Sequence, residues 1–228
     1  MHALILLAGG SGTRMQNAED KTLLILAGRP VIAHSAQTFL KTGFIDHTFI
    51  VFRDTEQKKA LEGALAPLAL EPQFVQGGAT RQDSVFNALQ ALPKDCTHVY
   101  IHDAARPLVS EKALQSLQAT VTKEGAAVLA KPAHDTIKRI TTEGEIQKIL
   151  PEDLDRKRLW IMETPQAFTM PAILEAYQSA HAKQLQFTDD VAVAKHHGIP
   201  VTLVPNPDPN PKLTVPNDLA WAECLIGQ

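Results

Sequence analysis

Three glycines and an arginine stand where an apolar strand ends. In the stretch LILLAGGSGTRM, residues 4–15, Leu and Ile give way to Gly9, Gly10 and Gly12, and Arg14 follows. Glycine lets the backbone turn tightly and brings its N–H groups against an anion. A plain strand-to-helix turn often needs one glycine; three with a cation beside them predict a loop that wraps phosphate. Lys21 lies seven residues beyond Arg14. The two cations can face one triphosphate and the charge that builds during phosphoryl chemistry. Neither common phosphate loop fits. A P-loop requires Gly-Lys-Ser/Thr, and Gly12-Thr13-Arg14 stands instead. The dinucleotide fingerprint requires a third small residue where Met15 stands, and an acid at the end of the second strand, where Arg53 comes first.

Three further stretches carry chemistry. In QGGATRQDSV, residues 76–85, Gly77 and Gly78 precede Arg81, and Ser84 is expected to open a helix whose N-terminus can hold anionic or polar atoms. In HDAARP, residues 102–107, Asp103 falls at the carboxyl end of an expected strand, where open α/β sheets place their ligands. Alone it reads as a cap or turn residue. Opposite a triphosphate it becomes a magnesium ligand, since magnesium takes few protein carboxylates and the phosphates supply the rest. Arg106 either braces this loop or touches ligand. Finally Thr136, Lys138, Arg156 and Lys157 sit on or near an expected hairpin, as a solvated charged face or as a second anion site. The adjacent His196 and His197 point to different sides of a helix and are read as surface. No arrangement of Ser, His and Asp, or of Cys and His, suggests a covalent nucleophile.

These residues need a scaffold, and the chain supplies an alternating one. Strands are expected at 3–7, 48–52, 74–75, 98–102, 126–130 and 201–204, and helices at 31–40, 84–92, 171–182, 190–197 and 216–226. Thr55 is expected to cap one helix, with Leu61 and Leu65 on one face. Ser110 is expected to cap another, which carries Leu114, Leu117 and Val121 and closes at Gly125. Such a series predicts an α/β fold, a largely parallel sheet with helices on both faces. The rhythm breaks at Pro132, where strands at 136–140 and 146–149 flank a turn at Glu143-Gly144. That hairpin has little to bury by itself. The loop PNPDPNPK, residues 205–212, is rigid and extended because its prolines exclude a regular helix.

Bulk properties exclude several classes. The 228 residues suit one α/β domain or two small ones, and no linker divides them, so a single domain over 1–228 is expected. A net charge of −3 argues against a broad nucleic-acid surface, while leaving room for a basic pocket. No apolar run approaches membrane-spanning length, and residues 4–7 are too short for a signal peptide. The two cysteines, Cys96 and Cys224, have no metal spacing and fit reduced thiols of a cytoplasmic protein.

Taken together and in order, LAGGSGTRM, Lys21, GGATRQDSV, HDAARP, DTIK, LW followed by TPQAF, TDD and a lysine-threonine element before the last helix closely resemble the 2-C-methyl-D-erythritol 4-phosphate cytidylyltransferase family. The resemblance covers nearly the whole chain. It implies a Rossmann-like nucleotidyltransferase fold with a projecting β-arm at about 132–158, and a homodimer whose arms cross so that each active site borrows residues from its neighbour. CTP is implied as a substrate on Ala8, Gly9, Gly10 and Gly12, with Gly78, Arg81, Ser84 and Ala104 around the nucleoside. Arg14, Lys21 and Lys212 are implied as catalytic cations, and Asp103 as the ligand of Mg2+ or another divalent cation. Thr136 and Arg156 from the partner's arm, with Thr164 and Thr188 nearby, are implied to hold the methylerythritol phosphate. Asp20-Lys21-Thr22 stands where the family usually has Pro-Lys-Gln, and Asn210-Pro211-Lys212 where it usually has Asn-Ile-Lys; Asp208 is not counted as a metal ligand. The ribitol 5-phosphate cytidylyltransferases share much of the pattern, and a non-catalytic nucleotide-binding relative is the alternative from another class.

Overall fold

Strand β1 (His2–Leu7) is buried on both faces. Ala3 and Ile5 enter one core, while Leu4 and Leu6 enter the other. That double burial is why the strand reads as a continuous apolar run without alternation. Each large aliphatic side chain so buried stabilises the fold by about 2 kcal/mol in transfer terms. In this computed structural model residues 1–10, 20–141 and 148–227 are described. Gly12, Arg14 and the turn expected at Glu143-Gly144 lie outside the described residues.

Two short strands, β2 (Ile25–Leu26) and β3 (Arg29–Pro30), form a small hairpin before α1 (Val31–Thr42). Its turn uses positive φ at Ala27 and Gly28. Then follow β4 (His47–Phe52), α2 (Thr55–Leu65), β5 (Gln73–Gln76), α3 (Arg81–Ala91), β6 (His98–Asp103), α4 (Glu111–Glu124) and β7 (Ala126–Pro132). The arm strands β8 (Lys138–Ile140) and β9 (Ile149–Asp153) pair with each other, antiparallel. After them come β10 (Trp160–Thr169), α5 (Met170–Ala182), α6 (Asp190–His196), β11 (Thr202–Pro205) and α7 (Pro216–Ile226). The main sheet has seven strands in the order β11-β7-β10-β6-β1-β4-β5. Every pairing in it is parallel except those of β10, which runs antiparallel to both β6 and β7. Helices α3, α5 and α6 cover one face through Val85, Ile173 and Val193. Helices α1, α2 and α4 cover the other through Ile32, Leu61 and Leu114. The expected fold class is therefore observed.

Four local expectations need correction. Strand β10 is absent from the expected series, because Glu163, Thr164, Pro165 and Gln166 interrupt its apolar pattern. The chain accommodates them with a register shift between Met162 and Gln166, where a proline is tolerated inside a sheet. Helix α2 is capped by Asp54, not Thr55; the Asp54 carboxylate accepts the Gln57 N–H at 2.8 Å. Helix α3 begins at Arg81, three residues before Ser84. Thr80 caps it through a reciprocal box with Asp83. The second arm strand starts at Ile149 and runs to Asp153, later than expected. By contrast, Ser110 caps α4 and Gly125 closes it in the left-handed conformation, as expected.

Candidate functional site

The carboxyl ends of β1 and β6, with the loop before α3, open onto a cavity of about 500 Å³. Ala8, Gly9 and Gly10 form one wall; Gly78, Arg81 and Ser84 form a second; Lys21, Asp103 and Lys212 complete it. Nine residues scattered over two hundred positions thus meet in one place. Arg53 and Thr214 also line it. The lining has several cations around one carboxylate, so a protein of net charge −3 carries a basic pocket.

Local sequence explains how each wall is built. A Cβ at Gly78 would stand 2.3 Å from the Cβ of Asp83, and one at Gly77 would stand 2.9 Å from Ser84 Oγ. Only glycine permits this close approach of the turn to the start of α3. Ser84 Oγ accepts the Gly78 N–H at 3.0 Å and donates to the Thr80 carbonyl at 2.9 Å. Lys21 sits in a turn fixed by its neighbours. The Asp20 carboxylate accepts from the Thr22 amide at 3.0 Å and the Thr22 hydroxyl at 2.7 Å. Gln57 donates to that carboxylate and to the Ala8 carbonyl. The acid and threonine that flank Lys21 therefore tie its turn to the glycine loop.

Asp103 is 7 % exposed and is met by three cations. Lys212 Nζ stands 2.8 Å from its carboxylate, Arg81 Nε 3.6 Å and Arg106 Nε 3.7 Å. Burial alone would raise this carboxyl; Lys212, Arg81 and Arg106 outweigh burial and hold it well below the usual carboxylate range. Arg81 also forks onto Asp190, at 2.9 and 2.8 Å, and Tyr177 donates its hydroxyl to the same carboxylate. Asp103 is thus an ionised carboxylate on the wall of an anion-sized cavity, and one such ligand is what magnesium asks of a protein that also binds phosphates. Among the described residues no group of three or more His, Cys, Asp or Glu could hold a metal by itself. The donor set fits a divalent cation brought in with a nucleotide.

Other expected site residues lie elsewhere. The Ala104 side chain is buried in the core beside Leu6, and Ala105 lines the cavity in its place. Thr164 is buried behind Asp103, whose amide donates to the Thr164 hydroxyl at 3.1 Å. Thr136, Arg156 and Thr188 are exposed and do not line the cavity. The Arg156 guanidinium donates to the His134 carbonyl at 2.8 Å. Asp208 accepts from the Ser110 hydroxyl at 2.6 Å and is likewise off the cavity wall.

The Thr164 hydroxyl also meets His102 Nδ1 at 2.9 Å, and His102 Nε2 lies 3.1 Å from the Arg106 carbonyl. A carbonyl only accepts, so Nε2 donates to it, and burial keeps the ring neutral with Nδ1 left to accept from the Thr164 hydroxyl. Burial pushes His102 down to about 4. The unfolded chain titrates near 6.5, so this burial contributes fully above about pH 6.5. Its contribution is lost progressively between there and about 4, on the order of 3 kcal/mol in all. Imidazole nitrogen chemical shifts at about pH 5.5 are expected to show the neutral Nε2–H form. A protonated ring at that pH overturns the assignment.

Glu163, Asn206, Asn210 and Asp190 do not stand out individually in the sequence. Their signal is weak: asparagines spaced among the prolines of 205–211, acids at 189 and 190, and a charge inside a strand.

Comparison with known proteins agrees with this geometry. The chain matches the family model of IspD, 2-C-methyl-D-erythritol 4-phosphate cytidylyltransferase, over residues 1–228. It is 37% identical over 230 residues to the enzyme so named from Halalkalibacterium halodurans, covering 100% of this chain and 97% of that one. It is 40% identical over 227 residues to the one from Prochlorococcus marinus strain MIT 9313, covering 99% and 98%. The crystal structure of 4-diphosphocytidyl-2C-methyl-D-erythritol synthase from Anaerococcus prevotii superposes with a TM-score of 0.86 at 26% identity, covering 100% of this chain and 96% of that one. The chain belongs to the 2-C-methyl-D-erythritol 4-phosphate cytidylyltransferase family.

Proposed function

We propose that this protein transfers the cytidylyl group of CTP to 2-C-methyl-D-erythritol 4-phosphate, giving 4-diphosphocytidyl-2-C-methyl-D-erythritol and pyrophosphate in non-mevalonate isoprenoid precursor synthesis. The observation that carries this reading is that Gly9, Gly10, Lys21, Asp103 and Lys212 line one cavity. The triphosphate lies along Ala8, Gly9 and Gly10, with Gly12 and Arg14 next in the sequence. The base enters the turn at Gly78, where backbone groups and Ser84 read a pyrimidine edge. An oxygen of the polyol phosphate attacks the α-phosphorus in line, and pyrophosphate leaves. That phosphate is already ionised at neutral pH, so no strong base is required. Lys21 and Lys212 offset the charge that develops on the phosphoryl oxygens, and the loop fixes the reactants in line. Asp103 would hold a divalent cation, which when bound would supply positive charge to neutralise the phosphates.

Pyrophosphate release with purified protein and magnesium tests the reaction. CTP with methylerythritol phosphate is expected to turn over strongly, and UTP weakly, because mismatched hydrogen-bonding groups are left unpaired. Equal or faster turnover of ribitol 5-phosphate selects that sister activity instead. Binding of CTP without turnover of either polyol phosphate selects the non-catalytic reading.

The active unit in this proposal is a cytoplasmic homodimer. Among the described residues no helix is long and apolar enough to cross a membrane. The arm strands β8 and β9 are exposed throughout, and Ile137, Ile140, Ile149 and Leu150 present apolar surface there. An isolated two-stranded hairpin is marginal in water, so a second subunit is the natural cover. The partner's arm delivers Thr136 and Arg156 to the polyol phosphate; the planar fork of arginine suits bidentate phosphate contact. Mixing an inactive Lys21→Ala chain with an inactive Arg156→Ala chain is expected to restore activity, to about a quarter of wild type under random exchange. Verified mixed dimers that stay inactive show that the arm serves its own subunit.

A further inference from the structure

Strand β10 carries a carboxylate where a sheet core has no use for one. Glu163 is 1 % exposed. Its Oε2 accepts from the side-chain amides of Asn206 at 2.8 Å and Asn210 at 3.1 Å, and its Oε1 stands 3.6 Å from Lys131 Nζ. Both asparagines are themselves buried, at 3 % and 1 % exposure. Burying three polar side chains is costly unless they bond one another; here Oε2 meets both asparagines, while Glu163 Oε1 and Asn210 Oδ1 have no hydrogen-bond partner among the described residues.

What this network holds is the proline-rich loop that ends at Lys212. Asn206 is tied at its amide to the Ala130 carbonyl at 2.8 Å. Asn210 donates to the Thr164 carbonyl at 2.9 Å and accepts at its own carbonyl from Arg106 at 2.7 Å. Pro211 and Lys212 follow directly, and the Leu213 amide then binds the Ala105 carbonyl at 2.8 Å. Lys212 is therefore fixed on both sides, by Asn210 before it and Leu213 after it, with its Nζ 2.8 Å from Asp103.

We infer that Glu163 is a positioning residue for Lys212: through Asn206 and Asn210 it sets the loop that aims this cation into the cavity. The inference rests on the proposed role of Lys212 in cytidylyl transfer. Substituting Glu163→Leu keeps roughly the size of the side chain but removes the one oxygen, Oε2, that accepts from both asparagine amides. The loop between residues 205 and 212 then loses its anchor while the sheet keeps its packing.

The test is a cycle of Glu163→Leu, Lys212→Ala and the double variant, read by single-turnover rates and by amide hydrogen exchange. Glu163→Leu is expected to lower the rate about tenfold when Lys212 is present and less than twofold when it is already alanine, since coupled residues are non-additive. The KM for CTP is expected to change less than the rate. The Leu213 amide is expected to lose protection in Glu163→Leu while β1 and β6 keep theirs. An equal loss of rate in both backgrounds, or an unchanged rate with the Leu213 amide still protected, overturns the inference. The exchange measurement needs no activity, so it decides whether Glu163 anchors the loop even if the wild-type protein transfers no cytidylyl group, a result that would reject the functional reading instead.

Discussion

Replacing Lys21 with alanine is expected to lower kcat at least a hundredfold and to change CTP affinity far less. Lys21 lines the cavity close behind the glycine loop. A cation there meets negative charge in the bound nucleotide, but the charge on the phosphoryl oxygens shifts and grows as the bonds to phosphorus rearrange. Interactions that strengthen only at that moment accelerate the chemistry; those equal in ground and transition states change only binding. Removing one preorganised contact of this kind costs roughly 3–4 kcal/mol, which is about two to three orders of magnitude in rate. The turn is well placed for such work. Asp20 is bonded by Thr22 and Gln57, and Arg53 Nη1 stands 3.7 Å from it. The backbone that carries Lys21 is thus tied to β1 and α2 and does not rely on the ligand for its shape. Titrating CTP into the variant and measuring single-turnover transfer separates the two effects. A kcat within threefold of wild type removes Lys21 from the chemistry.

The parts of the fold that are legible in the sequence share a cause. Strands β1, β4 and β6 are buried on both faces, so their apolar runs announce them without any partner being known. The Gly77-Gly78 turn is legible for a second reason. Close backbone approach demands glycine locally, and the 2.3 Å clash at Gly78 is a constraint set within six residues. Strand β10 is illegible because its pattern is set by distant residues. Glu163 answers Asn206 and Asn210, Thr164 answers His102 and Asp103, and Gln166 bonds Asp189 and Val191. Each polar residue looks wrong for a central strand until those partners are in place. Asp103 and Lys212 are each visible as candidates, yet their 2.8 Å contact depends on a loop anchored by that same strand. Asp54 and Thr80 do not declare themselves as caps because several capping residues stand side by side there, and only the backbone angles choose among them. The pairing of Arg81 with Asp190 spans 109 positions, and nothing local to either residue points to the other.

That pairing carries the second large effect. Asp190→Ala is expected to destabilise the fold by about 3 kcal/mol, roughly a hundredfold in the folding equilibrium. Asp190 is fully buried at the start of α6, where both its oxygens receive the Arg81 fork and one also receives the Tyr177 hydroxyl. Alanine removes all three acceptor contacts and leaves a guanidinium and a phenol facing apolar neighbours. Losing one member of a fully buried pair costs about 3–5 kcal/mol. Arg81 retains 30% side-chain exposure toward the cavity, and water there recovers part of the loss, so the lower end applies. The freed guanidinium has one other carboxylate close by, Asp103, already 3.6 Å from its Nε. It then competes with Lys212 for that group, so transfer slows as well as stability falling. Urea unfolding at neutral pH measures the first effect. Asp190→Asn keeps one acceptor oxygen and is expected to lose less. Replacing both partners with apolar residues of similar size, Arg81→Met with Asp190→Leu, is expected to recover most of the stability but not the activity. A single Asp190→Ala variant within about 0.5 kcal/mol of wild type shows that the fork does not hold α6 to α3, and Arg81 then has no part in bracing the cavity wall.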